Sequence, residues 1–521
     1  MRTTTTAHPT SVTGAAGAAA TRDASTGARR LPAGFVFGVS DSGFQSEGGY
    51  NGPGQPANNW AAWERSGKAE PAGIANQFWD RYPEHFARAA DLGCDAYRLG
   101  VEWTRCVPAP DTLDLAAIER YVEILRAATD AGLEPVVALH HFTHPEWLGP
   151  DLWLRPDAPE RFAEWAELIV PFLAPHCRRY TTINEINALG IGSYLIGYFP
   201  PGKRLRPDLM LRAIDAMLAA HVRAYDIVHR HRPDAQVGTS TYAFWPYDAD
   251  RLLVDLLAAR SAGVARTDVD EWIAERRRTF HRAVVGDQSP TYRAWQRGIG
   301  AGLRALLRPA GRFPRTLDAV YASPHESTVD VVQVNYYDPN LSNYMSRPGR
   351  VTGGRRHWGP DPEHWEQKPG PEHFATYLEA SALPGRPTWV LENGLCSPVV
   401  DGVAHQRDDG WDRPTYLAAH LDAVADAVDR GVDVTGYFTW SLFDNYQWGE
   451  HSSRFGLHAV ERHSDRCTFL DHDAMGDDAA GAYRRLIAAH RPAADASPGV
   501  DPGVATGRAA PAAVPVAAAP R

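Results

Sequence analysis

Two rhythms of apolar positions alternate along the chain. Runs of five to seven residues that are apolar almost throughout stand at 34–39, 96–100, 135–140, 180–184, 236–242, 331–337, 388–392 and 436–442. Between them, at 80–92, 115–131, 159–174, 209–231, 372–383 and 413–430, apolar residues recur at helical spacing. In Ala117-Ile118-Glu119-Arg120-Tyr121-Val122-Glu123-Ile124-Leu125 the charges fall opposite the apolar face. Uninterrupted apolar strands belong to sheets covered on both faces, and strand-helix alternation marks a parallel α/β architecture. Eight such strands predict a closed (β/α)8 TIM barrel, a single domain with long loop insertions, over 31–491. The connection 243–330 is too long for one crossover and carries Arg-rich helical segments, so it reads as an insertion near the barrel rim. The Thr/Ala/Gly/Ser-rich residues 1–30 and the Ala/Pro-rich tail 492–521 hold too few large apolar side chains to offset the entropy of ordering them. Both are expected to be disordered.

Composition narrows the partners. Acidic residues number 63 against 53 basic ones, and no basic stripe occurs, which argues against nucleic acid and anionic membranes. No apolar run reaches membrane-spanning length, and no continuous apolar stretch follows Arg2 as in a secretory signal. A cytoplasmic protein acting on a small molecule is expected; association into a homo-oligomer is compatible with the sequence. The five cysteines are odd in number and lack metal-ligand spacing, so buried free thiols are expected, with no metal and no disulfide framework. A doubly wound sheet would carry a Gly-rich phosphate loop after its first strand, and Gly38-Val39-Ser40-Asp41-Ser42-Gly43-Phe44 lacks that spacing.

A barrel presents its chemistry at the C-terminal ends of its strands. In this chain those ends are polar: Gln45 and Glu47 after strand one, Arg98 in strand two, His140-His141, Asn184-Glu185, Asn335-Tyr336-Tyr337, Glu392-Asn393 and Trp440. Taken singly, Arg98 reads as an ion-pair partner, His141 as a core histidine and the aromatics as packing. Their recurrence at one end of successive strands points to a site. Two glutamates tipping facing strands suit acetal hydrolysis, in which one acid protonates the leaving oxygen and the other carboxylate attacks or activates water. Arg98 favours the ionised form of Glu392, whereas burial and the neighbouring charge keep Glu185 protonated. Neither a metal nor a cofactor is needed.

Five segments then resemble glycoside hydrolase family 1, the β-glucosidase type of retaining glycosidase. They are Phe35 to Gly48 around Gln45-Ser46-Glu47-Gly48; Ala96-Tyr97-Arg98 through Trp103-Thr104-Arg105; Thr182-Ile183-Asn184-Glu185; Val390-Leu391-Glu392-Asn393-Gly394; and Gly436 to Trp448, continued by Arg454-Phe455-Gly456-Leu457. The resemblance implies Glu185 as acid/base and Glu392 as nucleophile, the latter supported by Arg98, Asn335 and Tyr337. It implies sugar contacts from Gln45, His141, Asn184, Trp440, Gln447 and Trp448, an aglycone contact from Trp365, and no cofactor.

Three positions depart from the family pattern: Ile186 follows the acid/base where Pro is usual, Phe142 follows His141 where Trp is usual, and Gln447 replaces a sugar-binding Glu. An amide grips hydroxyls less strongly than a carboxylate, which predicts a deoxy or otherwise modified glycone. The Ser/Lys/Tyr set of the 6-phospho branch is absent, which argues against a 6-phosphoglycoside. Two other readings share these residues, a transglycosidase tailoring a secondary metabolite and a catalytically silent sugar-binding barrel. Glu185 argues against the thioglucosidase variant, which carries Gln at that position.

Overall fold

The computed structural model describes residues 21–22 and 29–492, except 245, 287–308, 339–350, 353–354, 357–368, 398, 401–402 and 408. The expected disorder of both ends and the proposed aglycone contact Trp365 fall on residues outside those described.

The sheet is a ring. Strand one (Val36–Ser40) pairs in parallel with strand two (Ala96–Gly100), which continues to strand three (Glu134–Ala138) and strand four (Arg179–Thr181). Strand six (Val332–Asn335), strand seven (Thr388–Asn393) and strand eight (Val434–Thr439) lead back to strand one. Strand five closes the ring in two halves: Gln236–Gly238 pairs with strand four and Ser240–Tyr242 with strand six. The run 236–242 is therefore broken at Thr239, whose hydroxyl donates to the carbonyl of Ile183 at 2.6 Å. This is the expected (β/α)8 barrel, with one strand bent where the sequence reads as continuous.

Alternation along the strands sorts their residues into two sets. Val36, Ala96, Val136, Val331, Trp389, Leu391 and Phe438 form an apolar plug of their own, contributed by five of the strands and by Val331 just ahead of strand six. Phe37, Val39, Tyr97, Leu99, Val137, Tyr180, Val334 and Val390 join the larger core with the surrounding helices. The plug is tight: a Cβ on Gly38 would lie 2.4 Å from the Phe438 ring, which leaves glycine as the residue that fits.

Helices Phe78–Asp91, Leu115–Asp130, Ala158–Leu173, Pro207–His231 and Arg413–Asp429 fall within two residues of the expected stretches. The stretch 372–383 is a short 3-10 turn, Pro371–His373, continued by the helix Phe374–Ser381. A further helix, Ala479–His490, packs on the outside. Between strands five and six lie helices Arg251–Ala258, Val269–Gly286 and Pro314–Ala322. All five cysteines are free and buried. Among the described residues no helix is long and apolar enough to cross a membrane, and no group of three His, Cys, Asp or Glu side chains could hold a metal ion.

Candidate active site

Glu185 and Glu392 both end up buried at the C-terminal mouth of the ring, exposed by 7% and 4%. Strand seven aims Glu392 by a slip in its pairing with strand six. Val390 stands opposite Val334, but Glu392, two residues on, stands opposite Asn335, one residue on. Such a bulge re-aims a side chain, and it turns Glu392 toward the interior although Leu391 also faces the plug. Its two oxygens are met separately. Arg98, fully buried on strand two, donates to Oε1, and the Tyr337 hydroxyl donates to Oε2 at 2.8 Å. Burial and the nearby carboxylates push the Tyr337 phenol well above its ordinary value, so it remains a donor. Replacing Tyr337 by Phe removes a bond to a charged acceptor. We expect kcat/KM to fall roughly ten- to hundredfold with an unchanged unfolding temperature; steady-state kinetics beside a thermal melt checks both.

Glu185 sits just past strand four in a left-handed conformation, φ 45°, ψ 58°, at the start of the helix Ile186–Ile191. A proline next in the chain would disfavour that backbone; Ile186 leaves it accessible. The main chain is held there by its own N–H, which donates to Ser240 Oγ at 2.9 Å. Phe142, Asp338 and Trp448 also take positive φ. Four strained non-glycine residues so close to one barrel mouth match the tendency of strain to gather at functional sites.

Glu185 Oε1 accepts from Asn335 Nδ2 at 2.7 Å. This corrects one expectation: Asn335 bonds to Glu185 and to Asn184 Oδ1 (3.2 Å) and does not support Glu392. The cause is geometric: Asn335 Nδ2 lies against Glu185 Oε1 and Asn184 Oδ1. Burial, then the charge of Glu392, raises the Glu185 pKa to about 8, opposed by the Asn335 bond and by Arg98.

Asn184 ties the pair together. Its Oδ1 accepts from Arg98 (3.1 Å), Ser240 Oγ (2.7 Å) and Asn335, and its Nδ2 donates to His141 Nε2 at 3.0 Å. His141 therefore carries its proton on Nδ1, and burial together with Arg98 holds it neutral, well below the usual histidine range. Its ring stacks on Trp448 at 5.5 Å, and Trp440 lies 6.1 Å away. Trp448 also packs on Trp60 and Phe142, each at 4.8 Å. Trp440 is buried under the Arg98 guanidinium, 5.7 Å from the ring centre.

Gln45 donates to the Tyr446 carbonyl at 2.7 Å and lies 3.4 Å from Gln447 Oε1; Gln447 is partly exposed. Each named site residue among those described thus lies around one mouth. Ser240 joins the site without a motif of its own, although a polar Thr-Ser-Thr run inside a barrel strand is a signal. Glu102 is likewise unannounced: it accepts from the Phe44 N–H (3.0 Å) and from Thr143 (2.7 Å), fixing the segments that carry Gln45 and His141.

A closed (β/α)8 ring with two buried carboxylates in unlike surroundings at its C-terminal mouth is the framework of an acetal-cleaving enzyme. The chain belongs to glycosyl hydrolase family 1, whose model matches residues 28–475. It is a glycoside hydrolase. A bifunctional β-D-glucosidase/β-D-fucosidase of Bifidobacterium breve is 27% identical over 88% of this chain and 98% of its own length. A 6-phospho-β-galactosidase of Staphylococcus aureus is 25% identical over 83% and 94%. The β-glucosidase of Thermotoga maritima superposes with a TM-score of 0.67 at 20% identity, covering 89% of this chain and all of that one, and so shares the fold.

Proposed function

We propose that the protein is a retaining β-glycosidase in which Glu392 attacks the anomeric carbon and Glu185 first protonates the leaving oxygen and then deprotonates water. The observation that carries this reading is the unlike setting of the two acids. Glu392 faces a guanidinium and a phenol, as an anionic nucleophile requires, while Glu185 is held protonated to about pH 8. When Glu392 becomes an ester its charge is gone, and the main electrostatic reason for Glu185 to keep its proton goes with it. The same group can then act as the base. His141, Asn184, Gln45, Trp440 and Trp448 form the glycone wall. A cytoplasmic setting is supported by the five buried cysteines, which form no disulfide with one another.

Intact-mass measurement after incubation with 2-deoxy-2-fluoro β-glycosides carrying good leaving groups tests the reading. A stable adduct on Glu392 is expected; an adduct on a different residue would sink it.

For the glycone we infer a 6-deoxy or otherwise modified hexose. Gln447 offers an amide at the outer wall where a carboxylate would grip hydroxyls more strongly, and the Bifidobacterium relative is named for fucoside as well as glucoside cleavage. Restoring the charge with Gln447→Glu should move the kcat/KM ratio of aryl β-glucoside over aryl β-fucoside upward by about tenfold. An unmoved ratio in parallel assays removes Gln447 as the selector.

A further inference from the structure

Tyr337 and Glu392 meet at the barrel mouth through the phenol and the carboxylate, and the residues that follow each of them, Asp338 and Asn393, are joined a second time behind it. Strand six ends at Asn335, so Tyr336, Tyr337 and Asp338 lie beyond its regular pairing. Asp338 takes a positive φ of 49° there, a strained conformation for a residue with a side chain. The groups that hold it come from the outer helix Arg413–Asp429.

His420 on that helix is fully buried. Its Nδ1 faces the Tyr416 carbonyl at 2.8 Å, an acceptor, and therefore carries a proton. Its Nε2 faces both oxygens of the Asp338 carboxylate, at 2.9 and 3.0 Å. A ring set between a carbonyl and a carboxylate donates from both nitrogens, which makes the pair a buried charge-assisted bridge. The Tyr416 ring stacks on the imidazole with centres 3.8 Å apart, so the imidazole has little room to turn away from Asp338.

Tyr416 extends this bridge to strand seven. Its hydroxyl donates to Asp338, and burial, then the charge of Asp338, holds the phenol in its protonated form, well above its ordinary value. The same oxygen accepts from Asn393 Nδ2 at 2.9 Å. Asn393 is satisfied on every side: Nδ2 donates again to the Tyr336 carbonyl at 2.7 Å, and Oδ1 accepts from the Tyr437 hydroxyl at 2.6 Å. Turning that amide over would break all three bonds. The circuit runs from Glu392 through Asn393, Tyr416 and Asp338 back to Tyr337, whose hydroxyl closes it on Glu392 Oε2 at 2.8 Å. A buried polar network whose members are all paired is rigid, and the bond that closes it inherits that rigidity.

We propose that Asp338, Tyr416 and His420 are positioning residues for the reaction: anchored on the outer helix, they set the Tyr337 phenol against the Glu392 carboxylate from behind the strand ends. The inference rests on Glu392 as the nucleophile. A phenol held in this way meets the carboxylate at a fixed distance and angle throughout turnover, with no reorientation between the formation and the breaking of the glycosyl ester.

A double-substitution cycle in the full chain separates positioning from plain structural support. Tyr416→Phe takes away one hydroxyl and no charge, and keeps the ring that stacks on His420; Asp338→Asn takes away the charge. Each is expected to lower kcat/KM on an aryl β-glycoside by about five- to tenfold. In a Tyr337→Phe background the same substitutions should cost less than about twofold, because the bond they serve is already gone. Tyr416→Phe carries the test even where Asp338→Asn, which leaves His420 without its counter-charge, fails to fold. Intact-mass mapping with a 2-deoxy-2-fluoro β-glycoside runs beside the kinetics. Equal losses in both backgrounds, or no loss from Tyr416→Phe alone, would overturn the inference while adducts still map to Glu392. An adduct on a different residue would withdraw the nucleophile assignment itself, and the brace with it.

Discussion

Glu392→Ala is expected to lower turnover of an aryl β-glycoside by on the order of 10⁵-fold, the scale seen when a covalent nucleophile is removed, and azide is expected to restore turnover as the α-configured glycosyl azide. The deletion opens a small space directly against Arg98, a cation with no solvent exposure whose ion-pair partner among the described residues is Glu392. An azide anion fits that vacancy in size and charge. It meets the anomeric carbon from the side the carboxylate used, so the product is inverted relative to the substrate and cannot be hydrolysed by a second displacement. The buried Arg98 left without its partner also predicts a lower unfolding temperature, by an amount corresponding to about 3–5 kcal/mol, partly recovered when azide is added. Product anomer by NMR and a melt with and without azide read both effects. Unchanged turnover in Glu392→Ala would exclude the covalent mechanism.

The second large effect concerns protons. In the proposed mechanism Glu185 must be protonated to assist departure of the aglycone, and its pKa in the free enzyme is raised to about 8. The sign follows: kcat/KM is full below that value and falls as the pH rises through it, because the acid form is lost. Glu185→Gln should abolish the alkaline limb and cost about 10²–10⁴-fold on glycosides with poor leaving groups, the usual worth of a positioned general acid. Substrates whose aglycone leaves unaided should lose far less in the first step. Glu392→Gln should move the Glu185 titration downward, since the charge that helps raise it has been removed. A limb near pH 8 that persists in Glu185→Gln would assign the titration to a different group and withdraw Glu185 as the acid.

Much of this framework is legible in the sequence, and the parts that are not share a cause. Interior strands read clearly because each is buried on both faces, so runs such as 135–140 announce themselves. The barrel helices with charged outer faces were equally plain. The helix Ala479–His490 was not, because its buried face is built from Ala479, Ala480, Gly481 and Ala482, with Tyr483 and Ile487 its large apolar members; small residues leave a faint periodicity. The break at Thr239 and the slip before Glu392 depend on which neighbour each strand meets, and composition carries no record of that. Asn335 teaches the same lesson at the scale of one side chain. Its type and its strand end are readable, but its partner is set by where the fold places its amide, against Glu185 and Asn184. Ser240 does not stand out in the sequence because a hydroxyl in a strand is ordinary until its neighbours are known.

The divided fifth strand has one more consequence. Because its two halves pair with strands four and six, the run of paired strands comes full circle at strand five. The spacing between the strand-four and strand-seven carboxylates is then a property of the whole circle, in the way the width of a hoop belongs to no single stave. A loop at the rim can lengthen, shorten or change sequence without altering that width, since no loop bears on it alone. Selection among aglycones can therefore be revised at the rim, while the distance on which bond cleavage depends stays under the control of residues that never touch the substrate.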